Sequence, residues 1–284
     1  MKRFLSLGLL LMVILGSCKR ETRTLKEIED ELIQTYLVKN NLTGFVKDET
    51  GFYYKIMSQG TGAQIKYPTY IGYYYHITSI NEDVDYEVSK YSPLFNYTGY
   101  IAPASWREAL IKISRGGQVR VITPSYMAYG KDGLGSTIPG NAILDTKINV
   151  SNDEDRITYE DGLIREYLTE NNLTATKHSS GIYYIISTMG TGTAVTSTTA
   201  TLETVYEGRL LTGTIFDKAA STSPLTIGLA NTIEGWRIGI PLIKEGGKIR
   251  LFIPSRYAYG SSAQQSISAN SILDFDVELK KVTN

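Results

Sequence analysis

Ile233-Glu234-Gly235-Trp236, Gly246-Gly247-Lys248-Ile249-Arg250-Leu251-Phe252-Ile253-Pro254, Tyr257-Ala258-Tyr259-Gly260 and Asp274-Phe275-Asp276-Val277-Glu278-Leu279 belong to one stretch, residues 205–279, whose reading decides the fold. Its β-branched and aromatic content predicts strands over 202–211, 248–253 and 272–282. Thr212-Gly213 and Gly246-Gly247 supply turns between strands, because glycine accepts backbone angles that other residues resist.

The same landmarks occur earlier in the chain. Trp106 and Trp236 stand 130 residues apart, and Gly116-Gly117 and Gly246-Gly247 share that spacing. Tyr126-Met127-Ala128-Tyr129-Gly130 answers to Tyr257-Ala258-Tyr259-Gly260, and Ile138 and Asn141 answer to Ile267 and Asn270. Further upstream, Glu29-Asp30, Leu32-Ile33, Tyr36-Leu37 and Asn40-Asn41-Leu42-Thr43 recur as Glu160-Asp161, Leu163-Ile164, Tyr167-Leu168 and Asn171-Asn172-Leu173-Thr174. A period this long is the duplication of a whole domain, not a solenoid repeat. Each copy opens on a segment with apolar residues three and four apart, which predicts helices over 25–39 and 159–170, each ended by paired asparagines. Further strands are predicted over 52–56, 70–77, 118–122 and 182–186. The fold class is therefore α+β: two tandem units, each an antiparallel sheet with a short helix, preceded by an extra N-terminal helix.

The N-terminus reads as an export signal: Met1-Lys2-Arg3, an apolar run over residues 4–15, then Gly16-Ser17-Cys18. The run is short for a bilayer span. Cys18 is the only cysteine, so no internal disulfide can form, and its setting resembles the lipobox of bacterial lipoproteins. That resemblance implies cleavage before Cys18, acylation of its thiol and a membrane partner reached through the lipid. Lys19 at the next position points, by the better-known sorting pattern, to the outer membrane facing the periplasm, with the cell surface as the alternative. The expected organisation is a signal peptide over 1–18, a first domain over 19–150 and a second over 151–284, with the polar segment 151–156 as the boundary.

Removal of residues 1–18 takes away Lys2 and Arg3 and leaves 27 basic against 29 acidic side chains. A near-neutral chain without a basic stripe is not a nucleic-acid binder. His76 and His178 lack metal-ligand spacing, and neither a nucleophile–histidine set nor a phosphate loop is present, so no metal or cofactor is expected.

In the second unit, Val205-Tyr206-Glu207-Gly208, Ile215-Phe216-Asp217, Ile233-Glu234-Gly235-Trp236, Tyr257-Ala258-Tyr259-Gly260, Ile267, Asn270-Ser271 and Asp274-Phe275 follow in an order and spacing that resemble the FKBP-type peptidyl-prolyl cis-trans isomerases. The resemblance implies a curved sheet wrapped on a short helix with an apolar pocket between them. It implies Trp236 as the pocket floor, the backbone amide of Ile233 at the rim, and Tyr206, Phe216 and Phe275 as aromatic walls. Tyr259 and Ile267 would belong to a flap, with the Tyr259 hydroxyl donating to a substrate carbonyl, and Asp217 would be the carboxylate beside the pocket. The implied activity is isomerisation of X–Pro bonds in exported, proline-containing clients. The alternative is a lipid-anchored chaperone or peptide-binding module with little turnover; a surface lipoprotein that merely reuses the fold is a third reading.

Two departures keep the family's substrate preference and macrolide affinity from being carried over. Leu225 stands where family members carry a phenylalanine, and Ser268-Ala269 stand where prolines follow the flap isoleucine. The first unit departs further: Pro103 replaces Ile233 and Thr146 replaces Phe275, while Val84-Asp85 and Tyr86-Glu87 are poor counterparts of Phe216-Asp217. Its pocket is expected to be altered, and its role to be chain binding or spacing. The 21 tyrosines, including Tyr73-Tyr74-Tyr75, fit either a binding face or alternating sheet positions.

Overall fold

The computed structural model describes residues 23–284, so the signal segment and Cys18 lie outside the described residues. Helix α1 (Leu25–Lys39) opens on Thr24, whose hydroxyl accepts from the Glu27 amide while Glu27 returns a bond to the Thr24 amide, a reciprocal cap. It ends where Asn41 adopts φ +52°, letting the Leu42 amide reach back to the Leu37 carbonyl at 2.8 Å. Helix α3 (Arg156–Glu170) repeats the design, with Asp155 as its cap and Asn172 at φ +54°. That cap explains why α3 begins three residues before the expected start at 159.

Behind α1 come β1 (Val46–Lys47), β2 (Tyr53–Ser58), β3 (Tyr70–Ser79), β4 (Asp85–Val88), β5 (Leu94–Tyr97), α2 (Ala104–Leu110), β6 (Gln118–Thr123) and β7 (Leu144–Val150). Behind α3 come β8 (Thr176–Lys177), β9 (Tyr183–Thr188), β10 (Thr201–Leu210), β11 (Ile215–Ala219), β12 (Leu225–Gly228), α4 (Glu234–Gly239), β13 (Lys248–Ile253) and β14 (Leu273–Thr283). The first sheet runs β4-β3-β7-β6-β2-β1 with β5 also on β3, and the second runs β11-β10-β14-β13-β9-β8 with β12 also on β10. Every pairing is antiparallel, and the two orders are the same order. Strand β7 was not legible as a strand because Asp145, Thr146 and Asn149 interrupt its apolar pattern; Asp145 is buried on Arg120 instead of facing water.

Because side chains alternate along a strand, each sheet packs one face on its short helix and part of the other on its leading helix. On one face Ile249, Leu251 and Ile253 of β13 pack with Trp236 of α4, while Phe252 between them turns to the other face and meets Leu163, Ile164 and Leu168 of α3. The first unit repeats this with Val119, Val121 and Trp106 on one face and Ile122 against Ile33 on the other.

Three polar ties dock each leading helix, and all three are duplicated. The buried Glu160 carboxylate accepts from the Ser255 amide at 2.9 Å and its hydroxyl at 2.5 Å, as Glu29 accepts from Ser125 at 2.8 and 2.5 Å. Tyr183 donates to Asp161, and Tyr53 to Asp30, both at 2.8 Å. Arg250 forks onto Asp274 at 2.9 and 2.7 Å, and Arg120 onto Asp145 at 2.8 and 2.5 Å, each beside a tyrosine of the helix. Among the described residues no helix is long and apolar enough to cross a membrane.

Burial raises the Glu160 pKa above its ordinary 4.5, outweighing the Ser255 hydrogen bonds and the nearby Arg156. The native state therefore holds this proton more tightly than the unfolded chain does. Its contribution to stability is complete below pH 4.5 and is lost as pH rises through the folded value. The stability of the wild type relative to Glu160→Gln, measured by denaturant unfolding across pH, is expected to shrink from pH 4.5 toward neutrality; a difference that grows with pH would contradict this.

Candidate active site

The N-terminus of α4 builds the floor of a cleft in the second unit. Ile233 is the N-cap at φ −61°, ψ 153°; its carbonyl accepts from the Trp236 amide at 3.0 Å, and its own N–H precedes the helix and has no intrahelical acceptor. One turn in, the Trp236 indole lies edge-to-face with Tyr206 at 5.1 Å and with Phe275 at 5.3 Å. Phe216 stands edge-on to Phe275 at 5.4 Å. These are the orientations that ring quadrupoles prefer, so the box is rigid as well as apolar.

Two backbone features let the rings meet. Gly208 lies between them, and a Cβ there would sit 2.6 Å from Phe275 and 2.8 Å from Phe216. Its partner strand carries a bulge: Gly208 pairs with Asp217 and Arg209 with Ile215, leaving Phe216 as the extra residue beside the rings. The next residue, Asp217, accepts from the Tyr206 hydroxyl at 2.5 Å.

The resulting cleft encloses about 340 Å³, within the range of small-ligand sites. Seven of the eight residues singled out in the sequence line it: Tyr206, Phe216, Asp217, Ile233, Trp236, Tyr259 and Phe275. Ile267 does not. It is buried in the core beneath the flap, where its backbone exchanges two hydrogen bonds with Gln264. Leu225 and Ile227, two apart on the edge strand β12, complete the apolar wall, and Asn231 and Thr232 add polar edges. The 225/227 alternation was the available signal for that wall. Burial, then the Asp217 carboxylate, pushes the Tyr206 and Tyr259 hydroxyls above the ordinary tyrosine range, so both keep their protons at neutral pH. The Tyr206 proton is committed to Asp217, which leaves Tyr259 as the mouth's tyrosine donor.

A second hollow of about 600 Å³ lies on the outer face of the same sheet. Its walls carry Glu207, Lys248, Asp276 and Glu278, which are tied up in ion pairs with Arg209 and with each other. It lacks the aromatic box.

The first unit keeps the frame and fills the space. Tyr75 meets Trp106 edge-on at 4.7 Å, as Tyr206 meets Trp236. Thr146 takes the register position of Phe275, opposite Val121 and Ile77, and Ile77 takes that of Gly208. Strand β4 pairs without a bulge, so Tyr86 stands opposite Ile77 where Asp217 stands opposite Gly208. Ile77 and Val84 are both core residues. The α2 N-cap is Pro103, which has no N–H to offer at the rim.

The sequence profile of the FKBP-type peptidyl-prolyl cis-trans isomerase family matches residues 35–151 and again residues 192–280, more than half of the chain. The chain belongs to this family. Among individual FKBP-type relatives, the isomerase FkpA of Buchnera aphidicola subsp. Schizaphis graminum is 43% identical over 109 residues, covering 38% of this chain and 43% of that protein. FkpA of Escherichia coli strain K12 is 40% identical over 105 residues, covering 37% of this chain and 38% of its own length. A crystal structure of FkpA from Escherichia coli matches with a TM-score of 0.40 and 35% identity over 43% of this chain and 59% of that one. The matched segment thus spans less than half the length of either FkpA sequence.

The space exchange between the two FKBP units predicts opposite failures. Gly208→Ala overpacks the aromatic box and is expected to cost about 1–3 kcal/mol, whereas Ile77→Ala opens a cavity and is expected to cost about 2–5 kcal/mol. Urea unfolding of both variants checks this; a neutral Gly208→Ala would show that the rings do not occupy that space.

Proposed function

We propose that the second unit is a peptidyl-prolyl cis-trans isomerase acting on proline-containing polypeptides, with the cleft over Trp236 as its active site. The observation that carries this reading is the aromatic box around Trp236 with donors at its rim. Rotation of an X–Pro bond breaks no covalent bond; it must overcome about 18–20 kcal/mol of amide resonance. Resonance is strongest where water solvates the polar, planar amide. A proline ring lowered onto Trp236 between Phe216 and Phe275 leaves that solvation behind, which favours the less polar, twisted amide. The Ile233 amide and the protonated Tyr259 hydroxyl then offer hydrogen bonds whose fit to the twisted form lowers the barrier selectively. Asp217 orients Tyr206 by accepting from its hydroxyl. Uncatalysed exchange takes roughly 10–100 s, slow enough to limit folding of client chains.

A binding role for the first unit is favoured by one specific surface. Tyr73 and Tyr75 of the tyrosine triplet are occupied in its core. Among the exposed rings, Tyr67, Tyr97 and Tyr100 line a hollow of about 460 Å³, and Tyr70 stands edge-on to Tyr97 at 5.2 Å. Such a surface suits holding a client chain without turnover, and the domain division at 150/151 assigns it to the first unit. Acylation of Cys18 would place both units at the outer membrane facing the periplasm, or at the cell surface. Intact mass of the mature protein and membrane fractionation of Cys18→Ala test that placement: loss of the lipid mass and release of the protein are expected, and an unchanged membrane fraction would contradict it.

The catalytic assignment is tested on the full chain with a proline tetrapeptide. Phe216→Ala is expected to lower kcat/KM about ten-fold or more, the equivalent of at least one lost ring contact. Tyr86→Ala, at the corresponding position of Asp217 in the first unit, is expected to leave the rate within about two-fold. Equal losses in the two variants, or full activity in Phe216→Ala with the fold intact by circular dichroism, would overturn the assignment.

A further inference from the structure

The first unit reaches the neck of the flap that carries Tyr259. Two backbone hydrogen bonds and one side-chain anchor build that neck. The Gly260 amide donates to the Ser255 carbonyl at 2.8 Å, the Asn270 amide donates to the Gly260 carbonyl at 2.7 Å, and Ser255 itself is held by the buried Glu160. Tyr259 sits between the first two tie points, so the position of its hydroxyl over the cleft follows the position of the neck.

Asn270 is the far end of that neck, at φ +62° and 7% exposure. Both ends of its side-chain amide are engaged, and by two different parts of the chain. Its Oδ1 accepts from Nη1 of Arg156, the first residue of α3. Its Nδ2 donates to the Pro93 carbonyl at 3.2 Å. Pro93 belongs to the β4–β5 connection of the first unit, 177 residues away in sequence.

That connection is itself pinned to α3. The Tyr159 hydroxyl donates to the Lys90 carbonyl at 3.0 Å, the Phe95 and Tyr159 rings meet edge-on at 6.0 Å, and Tyr91 packs in the same apolar cluster. The exposed Lys90–Glu166 pair at 3.0 Å adds little by comparison. A buried amide with donor and acceptor both satisfied has one low-energy orientation, and losing either partner strands a polar atom away from water. The first unit offers no copy of this arrangement: Leu25 stands where Arg156 would be, and the Asn141 carbonyl is bonded by that unit's own Asn81 at 3.0 Å.

We infer that the first unit fixes the flap of the second over its cleft, through the Pro93 carbonyl, Asn270 and Arg156. Asn270 is thus a positioning residue, acting through Tyr259 without lining the cleft. This rests on the reading of the cleft as the isomerase site, and it assigns the first unit a task that does not require its own pocket.

Asn270→Gly in the full chain removes the side-chain amide while preserving the positive φ, which glycine adopts without strain. The expected result is a loss of kcat/KM of about five- to ten-fold, and a loss of less than two-fold when the same change is made in a Tyr259→Phe background. Arg156→Ala, which leaves the flap sequence intact, is expected to follow Asn270→Gly, with a loss of about five- to ten-fold alone and of less than about two-fold in the Tyr259→Phe background. Amide hydrogen exchange read independently of turnover should accelerate across residues 257–270 in Asn270→Gly by about ten-fold. Equal losses in both Tyr259 backgrounds would reduce Asn270 to a structural residue, and unchanged exchange in the flap would remove the coupling itself. If the wild type isomerises nothing while Asn270→Gly still loosens the flap, the reading of the cleft fails and the coupling between units stands.

Discussion

Glu160 is 1% exposed, and both of its carboxylate oxygens are taken by Ser255, at the turn where β13 gives way to the flap. A carboxylate so placed has exchanged water for two protein donors, and it tolerates no rearrangement that would take them away. The constraint therefore runs in two directions. It fixes the leading helix against the back of the sheet, and it fixes the root of the flap relative to that helix. Glu29 and Ser125 make the same bond in the first unit, and the surrounding Asp–Tyr and Arg–Asp ties are duplicated with it. Two units with such different pockets keep one backbone because these polar ties, unlike the cleft, are common to both.

Within that shared frame, what separates the units is where volume is placed. The second unit puts glycine at 208 and phenylalanine at 275, and the bulge at Phe216 adds a third ring beside them. The first unit puts isoleucine at 77 and threonine at 146 in the same register. Close packing forbids both arrangements from leaving the same space. In one case the aromatic edges enclose a cleft; in the other an aliphatic chain occupies the position of the missing Cβ. Proline at the α2 N-cap removes the backbone donor at the rim, so the losses in the first unit are matched across sheet and helix.

The frame was legible in the sequence because it is written twice. Paired asparagines marked both helix ends, where the αL residue that closes the turn is an asparagine in each copy. Trp236 matched Trp106 in the repeat, whereas Tyr206, Phe216 and Phe275 stood out through the FKBP-like order of their motifs; all four rings meet in the fold. Gly208 was part of a motif but had no role assigned: a glycine between Glu207 and Arg209 reads as a weak strand residue until two rings are seen to fill the space beside it. Ile267 is a different case. The resemblance assigned it to the flap, and in the fold its backbone bridges to Gln264 while its side chain is buried in the core cluster. The link from Pro93 to Asn270 spans the two copies, so no comparison of one copy with the other could display it.

The protein contains two tryptophans, one at the floor of each unit, and both indole N–H groups are buried without an acceptor among the described residues. They are built-in, separately assignable reporters of the two sites. Titrating the full chain with a proline tetrapeptide and following both indole resonances by proton–nitrogen NMR tests the central claim directly. Saturable movement of the Trp236 resonance with Trp106 unmoved is the predicted result. Movement of Trp106 at the same peptide concentrations, or of neither resonance, would contradict a single cleft in the second unit.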